Sequence, residues 1–225
     1  MGNLIASETK ERAYEVYKRV DFINYWLYTF TATCLLCLVE PFVAIWLGQD
    51  FVLTKAILIL AVAIYYFKGI NSGIDIAKNA AGLYYPDRFI PMAEAIANMV
   101  ISIVLAKRYG IAGVLFGTLV SFLALSFWAK PYFVCRDVFE VSFARYAVRE
   151  GREIVVSVLV AAGTWYAVSL VSLENVLLSF GVKALLALAL SNGLLLLVYF
   201  KTSEFQYLRG LLESAANRIG KRKKA

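Results

Sequence analysis

Glu94, Asn98 and Ser102 stand at i, i+4 and i+8 within one long apolar run, a spacing that stacks them on one face of an α-helix. The opposite face carries Ile96, Val100 and Ile103. A carboxylate, an amide and a hydroxyl in register could bind a cation or proton in a wet cavity. They could equally form hydrogen bonds to neighbouring helices, worth ~0.6–2 kcal/mol each. Either way the stripe cannot face hydrocarbon, because intramembrane ionisable groups are expensive.

Other polar residues interrupt apolar runs. Lys68, Asn71, Ser72, Asp75, Lys78 and Asn79 share one side at helical spacing. This predicts a helix emerging from the membrane with a wet face, an Asp75–Lys78 pair, and a place for Lys68, Asn71 and Asp75 in a substrate vestibule. Glu40 precedes Pro41. The proline removes a backbone donor and predicts a kink, so Glu40 is either a proton or cation site or an interfacial group reaching water. Lys183 lies inside a run, where it either snorkels or faces a cavity. Gly113 and Gly117 form a GxxxG, with Gly110 just before. Small residues let helices approach closely, and this motif predicts packing only.

Several chemistries are excluded. The chain has no histidine and three cysteines, which removes Ser–His and Cys–His catalysis and leaves too few ligands for zinc. Cys34, Cys37 and Cys135 read as plain buried thiols. No phosphate-binding loop or catalytic carboxylate pair occurs. The expectation is a non-enzyme without metal or cofactor.

The elements that must position these residues are membrane helices. Hydrophobic residues make up 61% and charged residues 17%, against roughly 45–50% and about 25% in soluble domains. Apolar runs near the ~20 residues that span a hydrocarbon core recur at 23–47, 51–69, 89–106, 111–133, 154–173 and 176–200. The second is expected to continue as helix to Ala81, and the third to start with Asp87 as cap and Pro91 in its first turn. Residues 1–22 form an N-terminal segment without the apolar core of a signal peptide. Residues 201–225 form a basic amphipathic tail, with Phe205, Leu208, Leu211 and Leu212 at helical spacing before Lys221-Arg222-Lys223-Lys224. With six spans, 19 of the 23 Lys and Arg fall on one side, which the positive-inside rule makes cytoplasmic. Both termini then lie there. This also accounts for the net charge of +7 through membrane lipids, without nucleic acid.

The residues also carry a resemblance. Gly2-Asn3-Leu4-Ile5-Ala6, followed by Glu8 and Glu11, resembles the segment after the eighth helix of bacterial polysaccharide flippases. These belong to the multidrug/oligosaccharidyl-lipid/polysaccharide exporter superfamily, called MATE-like here. Trp26 and Pro41-Phe42-Val43-Ala44-Ile45-Trp46-Leu47-Gly48 resemble that family's ninth helix. Ala81-Gly82-Leu83-Tyr84 and Asp87-Arg88-Phe89-Ile90-Pro91-Met92-Ala93-Glu94-Ala95 resemble its next loop and helix, and Ser102 through Thr118 continue the match. It covers about residues 2 to 139; beyond, only the two-span pattern agrees.

The resemblance implies an all-α integral membrane protein whose six helices are helices nine to fourteen of a two-lobed, alternating-access fold in the bacterial inner membrane. The implied substrate is an undecaprenyl-pyrophosphate-linked oligosaccharide moved to the outer leaflet. The first lobe, the seventh helix and most of the eighth lack counterparts. The expectation is a truncated product without transport of its own, or a chain that pairs with a separately encoded half or a second copy. A cation-coupled multidrug or metabolite exporter, and a non-transporting scaffold for polysaccharide assembly, remain as alternatives.

Overall fold

A computed structural model describes residues 9–85 and 88–210. The Gly2–Ala6 motif, Glu8, the Asp87 cap, and Leu211, Leu212 and Lys221–Lys224 of the tail lie outside them. The described residues are helical without strands, and six helices are long and apolar enough to cross a membrane.

The first helix, α1 (Lys10–Trp46), has 37 residues, roughly 55 Å at 1.5 Å per residue. Thr9 caps it by accepting from the Arg12 backbone N–H. It runs unbroken through Pro41. Gly48, at φ 101°, turns the chain into a short 3-10 turn. The second span is α2 (Lys55–Ile70) followed by α3 (Ser72–Ala80). The expected continuation to about Ala81 holds, with a break at Asn71. At the break the Asn24 amide of α1 donates to the Gly69 and Ile70 carbonyls at 2.9 and 3.3 Å.

Helix α4 (Ile90–Tyr109) carries Pro91 in its first turn and meets α5 (Ile111–Ala124) through Gly110 alone. The two pack as a tight antiparallel hairpin. A Cβ at Gly113 would lie 2.4 Å from the Leu105 carbonyl oxygen, and one at Gly117 would lie 2.9 Å from the Ser102 nitrogen. The glycine motif therefore does the packing expected of it. Chain continuity then passes through α6 (Ser126–Val134) and a π-helical turn at Cys135–Phe139. Last come α7 (Phe143–Ser169) and α8 (Val176–Tyr199), the latter capped by the Asn175 side chain. Residues 203–210 are helical, and Phe205 stacks on Trp26 at 5.8 Å.

Helix α1 is the centre of the bundle, packed against α2, α7 and α8, while α4 leans mainly on α5. Two helices begin earlier than their apolar runs: α1 by its segment before Ile23, and α7 by its segment before Ile154. Together with α3, α6 and the π turn, these extensions build a separate core at the basic end. Tyr14, Tyr17, Ile74, Val134, Phe139 and Tyr146 are buried in it, with Tyr17 and Phe139 ring centres 5.1 Å apart. Tyr14 packs its ring against Phe139 as well, 5.4 Å between centres.

Candidate functional site

The Glu94–Asn98–Ser102 stripe turns inward onto the α5–α6 side. Ser126 donates to the Glu94 carboxylate. The Asn98 amide donates to Thr118 Oγ1 at 3.3 Å, and Ser102 donates to Asn98 Oδ1 at 2.9 Å and to the Val114 carbonyl at 3.3 Å. All three bind neighbouring side chains or backbone rather than a groove, while Ile96, Val100 and Ile103 on the opposite face are exposed. Glu94→Gln keeps an acceptor for Ser126 and should leave folding unchanged. Glu94→Leu leaves the buried Ser126 hydroxyl unpaired and should cost about 1–3 kcal/mol, read as a lower thermal midpoint of the purified protein.

The residues at the inner end of the second span have separate surroundings. Asp75 is held by Lys130 of α6, at 2.9 and 3.2 Å, where the expected partner was Lys78 one turn on. The Lys130 cation comes across from α6, and Lys78 lies over the Tyr84 ring. Lys68 lies over the Phe122 ring at 5.7 Å. Asn71 is buried at 1% exposure, and neither its amide nitrogen nor its oxygen has a partner among the described residues.

Glu40 and Lys183 do converge. With Lys55 they line a cavity of about 310 Å³ between α1, α2, α7 and α8, near Gln49 and Trp165. Glu40, Lys55 and Trp165 also line a second cavity of about 340 Å³ between α1, α2 and α7. The two therefore form one groove. Its charged mouth lies at the Gln49 end; its walls are apolar, including Leu58, Val62 and Ala161. Its floor is polar. Thr29 Oγ1 and Ser157 Oγ are 2.7 Å apart, and the Tyr66 hydroxyl donates to Ser157 at 2.8 Å.

One turn beyond that floor, at the basic end, lies a charged cluster that includes Arg149, one of the 19 basic residues assigned to the cytoplasmic side. Asp21, Glu150 and Glu153 are 5%, 3% and 6% exposed, and their carboxylate oxygens lie within 4.8 Å of one another. Arg149 is paired with Asp21, with its Nε 3.9 Å from Glu153. Its guanidinium also sits 5.7 Å from the Tyr17 ring centre and 5.5 Å from that of Tyr146. Gly73 of α3 closes the site, since a Cβ there would come 2.6 Å from Asp21 Oδ1. A signal was present in the sequence. Tyr146, Glu150, Glu153, Ser157, Val160, Thr164 and Val168 alternate at steps of three and four, and all are buried.

Cys37 and Cys135 are buried free thiols and Cys34 is half-buried. No family model matches the chain, and no curated protein or solved structure is significantly similar to it.

Proposed function

We propose that the chain is the C-terminal portion of a flippase that moves an undecaprenyl-pyrophosphate-linked oligosaccharide across the bacterial inner membrane by alternating access, with both termini cytoplasmic. It works without covalent chemistry, together with a complementary lobe. The observation that carries this reading is the groove between α1, α2 and α7. Its apolar walls suit a hydrocarbon tail, and its mouth offers the Lys55 and Lys183 ammonium groups, beside Glu40, to an anionic head. Ligand sites of this kind join mostly apolar linings to a few placed polar groups. The quoted family motifs supply the substrate class.

A second reading, a cation-coupled exporter of the same superfamily, is favoured by the buried carboxylates of Asp21, Glu150 and Glu153. Both readings meet one test. The chain is expressed with a flippase N-terminal lobe in a flippase-deficient bacterium, and surface polysaccharide is measured beside export of a cationic dye. Restored polysaccharide, reduced to background by Ala161→Trp at unchanged protein level, is the expected result. Dye export without polysaccharide supports the exporter. Full polysaccharide export with the groove filled by tryptophan refutes the role given to it.

A further inference from the structure

We propose that Asp21, Glu150 and Glu153, with the Tyr17 hydroxyl, form a proton-binding site, in which one proton is shared between Glu150 and Glu153 while α1 and α7 are packed together. The argument rests on the geometry of the cluster and not on the transport reading.

Charge balance comes first. Three carboxylates and one guanidinium lie buried together. Arg149 compensates Asp21 directly and reaches Glu153 only at 3.9 Å. Fully ionised, the cluster would hold two uncompensated negative charges away from water, a state that neighbouring carboxylates avoid by keeping a proton. Glu150 and Glu153 are the pair left for it.

The second observation is Tyr17. Its side chain is 1% exposed and its hydroxyl has no well-formed hydrogen bond among the described residues, although it lies beside Asp21 and close to Arg149 and Glu150. A buried hydroxyl without a partner is costly. Here it is a donor beside Asp21 and close to Glu150, available to a site that alternates between charge states.

The surroundings restrict the exchange. On α1 the site is faced by Tyr14, Tyr17, Asp21 and Tyr25, and on α7 by Arg145, Tyr146, Arg149 and Arg152. Cys135 of the π turn, Tyr66 of α2, Tyr199 of α8 and Glu204 complete the titratable neighbours. Gly73 seals the α3 side. One helical turn along α7 from Glu153, Ser157 bonds to Thr29 and Tyr66 at the groove floor. Loss of the proton converts one carboxylic acid to a carboxylate, delivers the proton to bulk water and adds one negative charge to the cluster. That charge favours separation of α7 from Asp21.

A carboxyl that keeps a proton in the buried cluster binds it more tightly folded than unfolded, so stability falls as pH rises through its titration.

The test uses the purified full chain in lipid nanodiscs, without any transport substrate. Infrared difference spectra between about pH 6 and about pH 9 should show the carbonyl band of a protonated carboxylic acid, shifted in heavy water, and the melting temperature should fall over the same window. Glu150→Gln or Glu153→Gln each removes one negative charge, so either one alone should abolish both signals. Two independent protons would leave half the band in each variant and overturn the sharing. Absence of the band and of the pH slope in the unmodified chain overturns the site, and that measurement stands even if both variants fail to fold. Stabilisation by sodium but not by choline at about pH 9, lost in Glu150→Gln, would assign the cluster to sodium and equally overturn the proposal. A groove inactive in transport would leave all these readouts untouched.

Discussion

Replacing Arg149 by leucine is expected to destabilise the folded chain by about 3–5 kcal/mol, the range for breaking a buried ion pair from one side. Asp21, at 5% exposure, loses its bound counter-ion, and the Glu150 and Glu153 carboxylates lose the same nearby cation. The Tyr17 and Tyr146 rings lose the guanidinium that rests near them. Lysine should rescue little, because a compact ammonium cannot span two carboxylates and lie against two rings as a planar guanidinium does. Removing the orphaned charge should rescue more: the Asp21→Asn, Arg149→Leu double variant is expected to recover most of the loss. Acid should also help Arg149→Leu, since protonating the carboxylates removes the repulsion. The measurement is the denaturation midpoint of the purified chain in nanodiscs, at neutral and at mildly acidic pH. A midpoint unchanged in Arg149→Leu would show that the pair holds nothing together.

The six spans were legible because a hydrocarbon core imposes a length and a hydropathy that no neighbouring sequence can hide. Gly113 and Gly117 were legible for a related reason: two glycines one turn apart in an apolar helix leave a flat strip that another helix can occupy. The extensions of α1 and α7 were not. Tyr14, Tyr17 and Tyr146 alternate there with Lys18, Arg145 and Arg149, and the orientation rule counts those charges without asking which way each points. Arg149 thus read as a loop charge, although it pairs with Asp21 across two helices. The corrective was the three–four stripe on α7, whose polar members Glu150, Glu153 and Ser157 continue into Val160 and Val168. Polar residues in line with apolar ones face inward. Conversely, the Glu94–Asn98–Ser102 stripe was plain in the sequence, but its partners Thr118 of α5 and Ser126 of α6 are identified only once those helices pack on α4. Glu40 and Lys183 lie far apart in sequence, and the groove they share exists only once α8 packs beside α1.

Gly113→Leu should open the α4–α5 hairpin. Its Cβ would stand 2.4 Å from the Leu105 carbonyl oxygen and 2.5 Å from the carbonyl carbon. Both are backbone atoms, so no rotamer change relieves the overlap, and the two helix axes must move apart. Overpacking by even a methyl or two costs about 1–3 kcal/mol, and alanine at this position should already reach that range. Leucine adds bulk along the same direction. Separation also breaks the Asn98–Thr118 and Ser102–Val114 hydrogen bonds, leaving polar groups in an apolar setting with nothing to replace them. Gly181 of α8 is the control, since a Cβ there meets no atom within 4 Å. Its replacement by alanine removes only the helix penalty of glycine, about 1 kcal/mol, and should be neutral or stabilising. The readout is a disulfide between cysteines placed at Asn98 and Thr118 in a background lacking Cys34, Cys37 and Cys135. It should form readily with Gly113 intact and with Gly181→Ala, and poorly with Gly113→Leu. Equal crosslinking in all three would mean that the hairpin does not depend on the close approach that the glycine permits.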